Sequence, residues 1–149
     1  MKKIKKLLTI GLAVFLMLCM SISLVGCAFQ NKDRYLTVIE HNWKFVIPTQ
    51  ANCRQTYVKQ ESSIMGDGHR YHVFAYEEET YIEAMCEWEN YQDTYEQICE
   101  VWLNFIDVPA EKRPIYEVCK FYQQGGEGEG IIIGWNEDND MLYICESFM

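Results

Sequence analysis

The chain of 149 residues carries 22 acidic residues against 13 basic ones, a formal net charge of −9. That balance repels phosphate backbones and excludes a nucleic-acid partner. Hydrophobic residues make up 49% and aromatic residues 14%, too much apolar surface for a disordered chain, and the length leaves room for one core and no second domain.

The first predicted element is a leader. Lys2, Lys3, Lys5 and Lys6 open the chain with no acid nearby, and residues 7–25 are apolar apart from Thr9, Gly11, Ser21 and Ser23. A basic start, an apolar run and small residues at its end are the parts of a secretory signal, whose lysines stay on the cytoplasmic side. The run closes on Leu24-Val25-Gly26-Cys27, which resembles the lipobox of bacterial lipoproteins: an aliphatic residue, a tolerant one, a small one, then a cysteine. The resemblance implies cleavage between Gly26 and Cys27 and a diacylglyceryl group on the Cys27 thiol. Each buried acyl methylene contributes about 0.8 kcal/mol, so two chains hold a small domain at a membrane. A plain transmembrane anchor is the alternative, since about 18 apolar residues span a bilayer. On the lipobox reading residues 1–26 are the signal peptide, 27–33 a lipidated tether and 34–149 a single domain, and on either reading that domain faces outside the cytoplasm. Beyond Cys27 the chain has 9 basic residues against all 22 acidic ones, a net charge of −13. Such a surface favours a basic protein or peptide as partner, or serves only solubility.

Within the domain, residues 35–39 and 43–47 are rich in β-formers and predict a hairpin around Glu40-His41-Asn42, ended by Pro48. Residues 54–61 alternate around Tyr57 and Val58 and predict a third strand. Gly66-Asp67-Gly68 marks a turn. Residues 70–77 are apolar on both faces, the pattern of a central strand. Glu77, Glu78 and Glu79 with Thr80 open a helix whose stripe of Trp88, Tyr91, Tyr95, Ile98, Trp102 and Phe105 steps by three and four, with a break foreseen over 90–94. Asp107-Val108-Pro109 ends it. Residues 115–122 favour a strand. Residues 125–130, Gly-Gly-Glu-Gly-Glu-Gly, predict an irregular, mobile loop, and residues 131–135 and 142–145 two strands joined by a turn over 136–140. The sum is an α+β domain: an antiparallel sheet with a central helical segment packed on one face, preceded by a cleaved signal helix. The Gly66-Asp67-Gly68 turn between aromatic strands, followed by a helix and a final hairpin around Leu142-Tyr143, is similar to small uncharacterised bacterial proteins with a GDG turn; the resemblance bears on fold and implies no activity.

Chemistry-bearing residues are sparse. His69 and His72 lie three apart on a strand, pointing to opposite faces, so they do not converge on a metal. Asn136, Asp138 and Asp140 have the spacing of a calcium loop, but Met141 stands where its glycine belongs. The 125–130 run lacks the lysine and Ser/Thr of a phosphate loop. Cys53 with His72 is a conceivable nucleophile and base, without supporting spacing. Trp88, Tyr91, Tyr95 and Trp102 read as core. Cys53, Cys86, Cys99, Cys119 and Cys145 are odd in number and lie in apolar segments, which favours buried thiols with at most one or two disulfides. Trp43 and the acidic residues Glu83, Glu87, Glu96 and Glu100 are the expected partner surface. No cofactor, metal or catalytic residue is indicated. The reading is a membrane-anchored extracytoplasmic lipoprotein acting as a non-catalytic binding or interaction module with an acidic surface; the alternative is a small cell-envelope enzyme with a Cys/His or carboxylate site.

Overall fold

The computed structural model describes residues 34–44, 46–48, 53–62, 67–77, 82–126 and 128–148. The leader, the lipobox and the tether lie outside them, as do Gly66 and the expected helix start at 78–80. Two compact units are formed, Met1–Val38 and Ile39–Met149. Of the first, only the opening of helix α1, Arg34–Trp43, is described. Among the described residues no helix is long and apolar enough to cross a membrane.

The second unit is built on a six-stranded antiparallel sheet. Its strands are β1 (Arg54–Ser62), β2 (Gly68–Ala75), β3 (Glu89–Asn90), β4 (Lys120–Gly125), β5 (Gly130–Asn136) and β6 (Met141–Phe148). Their spatial order is β1-β2-β6-β5-β4-β3. After β2 the chain crosses to the far edge, forms helix α2 (Asp93–Phe105), and returns so that β6 slots between β2 and β5. The central strand expected at 70–77 is therefore β2, with Tyr71, His72, Val73 and Phe74 all buried. The final meander is also as expected, Asn136 Oδ1 accepting the Asp138 N–H at 3.0 Å inside its turn.

Strand alternation sends Tyr71, Val73, Phe121, Ile132, Tyr143 and Cys145 to one face, where they pack with Tyr95, Cys99, Trp102 and Leu103 of α2. Asp93 and Glu96 in the first turn complement the positive end of α2. Its last turn closes with Asp107 in the left-handed region at φ 52°. The Asp107 N–H donates to Asn104 O at 3.2 Å and the Val108 N–H to Leu103 O at 2.9 Å. This is the paired capping of a Schellman motif, with Leu103 and Val108 making its apolar contact in the core.

The opposite face carries Phe74, Tyr76, Ile131, Ile133, Trp135, Leu142 and Ile144, all buried. Residues 39–48 reach this face, the Tyr76 hydroxyl donating to Pro48 O at 3.0 Å and Trp43 bonding to β6. Ile39 and Ile47 are buried beside them in sequence.

Three expectations are corrected. Residues 35–39 and 43–47 form no hairpin: 34–43 is helical, and 46–48 has no regular structure. Leu36, Ile39 and Trp43 repeat at three and four, and that period outweighs the β-branched content. The helix of the central segment begins only at Asp93. Glu89 and Asn90 instead pair with Phe121 and Lys120, and the Trp88 indole donates to Ile82 O at 3.0 Å. Residues 116–118 wind into a 3-10 turn before β4 starts. At the glycine run Gly125, at φ 85°, pairs with Gly130 where β4 and β5 meet, a Cβ on Gly125 would lie 2.4 Å from Glu129 O, and residues 126, 128 and 129 have no regular structure.

His72 links this packing to pH. It is buried on β2, with the Gln55 amide nitrogen 2.5 Å from Nδ1. Burial first, and the Arg70 guanidinium second, push its pKa down to about 3 from the ordinary 6.5. The unfolded chain takes up the proton first, so stability falls as pH drops below 6.5 towards 3. Urea unfolding of the wild type and of His72→Gln should diverge, with the histidine accounting for a loss of about 2 kcal/mol between pH 7 and pH 5.

Candidate functional site

A cleft of about 350 Å³ lies at one end of the sheet. The end of β1, the start of β2, the end of β6, the last turn of α2 and the loop at Gly128 all contribute to it. Register explains how. Glu61 pairs with His69, His69 with Ser147, and Ser147 with Gly130. Directly paired residues face the same side, so Glu61, His69 and Ser147 form one row across three strands on the α2 face. Gly68 permits the approach of the first two strands, because a Cβ there would lie 2.2 Å from Glu61 O.

The walls are aromatic. His69 stacks near Trp102, ring centroids 6.1 Å apart, and meets Phe105 edge-on at 4.8 Å. Phe105 is 63% exposed, so part of its ring faces the cleft open to solvent. Phe148 forms the other side, with the Arg70 guanidinium 3.9 Å over its ring. The rim carries two exposed carboxyl groups, Glu61 and Asp67. Burial lowers the His69 pKa from its ordinary value, which favours the neutral ring.

The hydrogen bonds limit the chemistry. Ser147 Oγ donates to Gly128 O at 2.8 Å, so this hydroxyl is engaged with the backbone. His69 Nδ1 has no hydrogen-bond partner among the described residues. An imidazole and two carboxyl groups therefore share one cleft, without a nucleophile hydrogen-bonded to a base. Among the described residues no group of three or more His, Cys, Asp or Glu side chains could hold a metal ion.

The residues singled out from sequence are dispersed. Gly26 and Cys27 lie outside the described residues. Trp43 is half-buried, its indole N–H donating to Glu146 Oε1 at 2.8 Å. Arg70 approaches Glu146 Oε2 at 3.5 Å, and Glu146 itself is fully buried. Glu83 and Glu87 are exposed in the turns ahead of α2. Glu96 accepts the Tyr91 hydroxyl at 2.5 Å. Glu100 accepts Tyr116 at 2.7 Å and pairs with Arg113, which also donates to Val108 O. His72 sits on the face opposite His69, as the spacing requires. Of the cleft residues the sequence picked out His69, the Asp67-Gly68 turn, Gly128 within the glycine run and Phe105 within the helical stripe, without placing them together; what joins them is pairing register, which sequence does not display.

No protein family, curated protein or solved structure matches this chain.

The Trp43–Glu146 bond makes a measurable demand. Trp43→Phe keeps a ring and removes the donor to a buried carboxyl group, and urea unfolding should register a loss of about 2 kcal/mol.

Proposed function

We propose that this chain is a membrane-anchored extracytoplasmic lipoprotein whose domain is a non-catalytic binding module for a basic peptide or protein segment, received in the cleft at the end of the sheet. One observation carries the binding part: a concavity with Glu61 and Asp67 at its rim and the exposed ring of Phe105 on its wall. Carboxylates and aromatic faces together attract a lysine or arginine side chain through charge and cation–π contact. The negative field of the domain, −13 beyond Cys27, draws such partners in and makes association salt-dependent.

Titration of the protein with a lysine- and arginine-rich peptide tests this. Binding should weaken steeply between low and physiological salt, and Glu61→Gln with Asp67→Asn should cost about tenfold or more, since each contact to a charge contributes roughly 1 kcal/mol. Equal affinity in wild type and double variant overturns the assignment to this cleft.

The anchor part rests on Leu24-Val25-Gly26-Cys27 and the basic, apolar leader before it. On this reading a signal helix is cleaved after Gly26, and a lipidated Cys27 tethers the domain to the outer face of the cell membrane. Globomycin should cause the uncleaved precursor to accumulate, and mass spectrometry of the mature N-terminus should find acylated Cys27. A mature N-terminus with a free Cys27 thiol overturns it.

The same cleft supports one second reading, a small envelope enzyme, because it gathers His69 with Glu61 and Asp67. Among the described residues His69 Nδ1 has no hydrogen-bond partner and so no nucleophile on it, which weighs against that reading.

A further inference from the structure

Helix α2 borders a second hollow, of about 290 Å³, lined by Thr94, Gln97, Ile98, Val101 and Trp102. None of these side chains is charged. Ile98 is half-buried against the core and Trp102 is buried, while Val101 is 67% exposed. The hollow leads towards the cleft. Ile98 and Trp102, like Val101 and Phe105, are four residues apart and so neighbours on one flank of the helix. Trp102 lines the hollow and also stacks near His69 of the cleft, which Phe105 lines as well. The two concavities are thus two ends of one groove along α2. From Ile98 to Phe105 the helix rises about 10 Å, the length of roughly three residues of extended chain. A single exposed valine or phenylalanine on a surface is ordinary, but two adjacent ones, each beside a hollow, make a shape that side chains can fill.

We propose that this groove selects its partner by a two-point pattern: a lysine or arginine in the cleft and an aliphatic side chain of leucine size in the hollow, about 10 Å apart along an extended segment. The inference rests on the reading of the cleft as a site for a basic segment and adds the second contact. Charge decides the occupant. A second copy of this chain would bring a surface of net charge −13 against Glu61 and Asp67, whereas a basic segment is drawn to them. The lining decides the chemistry of the second point. With no charged side chain to pair with, a charge entering the hollow would lose its water without compensation, while an aliphatic group gains from contact with Ile98, Val101 and Trp102. The cleft end therefore supplies attraction and the hollow end supplies discrimination among basic partners.

Fluorescence anisotropy of labelled peptides, titrated with the full-length chain in detergent, tests the pattern. Three Gly-Ser peptides each carry a Lys-Arg pair: one has nothing more, one has a leucine about three residues beyond the pair, and one has the leucine about eight residues beyond it. The near leucine should tighten binding about tenfold and the far leucine should not. Val101→Ser, at an exposed position, should remove that gain and leave the affinity of the plain peptide unchanged. Gln97→Trp, which fills the hollow from its rim, should do the same. Glu61→Gln with Asp67→Asn should weaken all three peptides. A plain peptide that binds through the carboxylates but gains nothing from the near leucine overturns the groove and leaves the cation site standing. So does a gain that both hollow variants leave in place, or an equal gain from the far leucine. A plain peptide that fails to bind, or that ignores the loss of both carboxylates, overturns the cation site and the groove with it. Sedimentation that finds a wild-type dimer dispersed by Val101→Ser makes a second copy the occupant and also overturns the proposal.

Discussion

Strand β6 lies in the middle of the sheet with nearly every side chain buried, and β5 beside it is buried along its whole length. Such strands cannot leave either face to water, so the fold must supply two covers. On one side the cover is α2, which contributes Tyr95, Cys99, Trp102 and Leu103. On the other it includes the stretch from Ile39 to Pro48, tied down through Trp43 and Tyr76. The long excursion from β2 to the far edge and back carries α2, which covers one face of the sheet.

Both covers also meet polar groups that the sheet has drawn inside. Glu146 is fully enclosed, and a carboxyl group there is tolerable only with donors aimed at it. Trp43 and Arg70 are those donors, one from helix α1 and one from β2. Removal of either leaves charge or polarity stranded, so the pair specifies where the chain before β1 must sit. Trp43 is thereby a structural anchor more than an exposed contact residue. On the α2 side Arg113 plays a related part, joining Glu100 of the helix to the carbonyl of Val108 just beyond it.

Sequence displayed what is encoded in short-range pattern. The two-faced apolar run of β2, the closing hairpin and its Asn-Asp turn, and the end of α2 before Pro109 all follow from alternation, turn chemistry and breakers. Helix α1 was obscured because Tyr35, Val38 and Ile39 prefer strands locally, while the spacing of Leu36, Ile39 and Trp43 says helix. The late start of α2 was half visible: the polar stretch at 90–94 gave the break, but only the pairing of Glu89 with Phe121 shows that the first half is not helical. The cleft was the least legible. Glu61, His69, Phe105 and Ser147 come from four elements, and no local pattern marks them as neighbours.

The first strand has a consequence for how molecules meet. β1 borders the sheet with most of its residues exposed, and its pairing with β2 is interrupted by a bulge between Gln55 and Tyr57. An outer strand of nine residues invites an incoming chain to add to the ladder. Here the irregular pairing twists the backbone, and Arg54, Lys59 and Glu61 place charges along it, so a second copy finds no flat, apolar template to extend. An edge of this kind guards a chain at high local concentration against fibre growth.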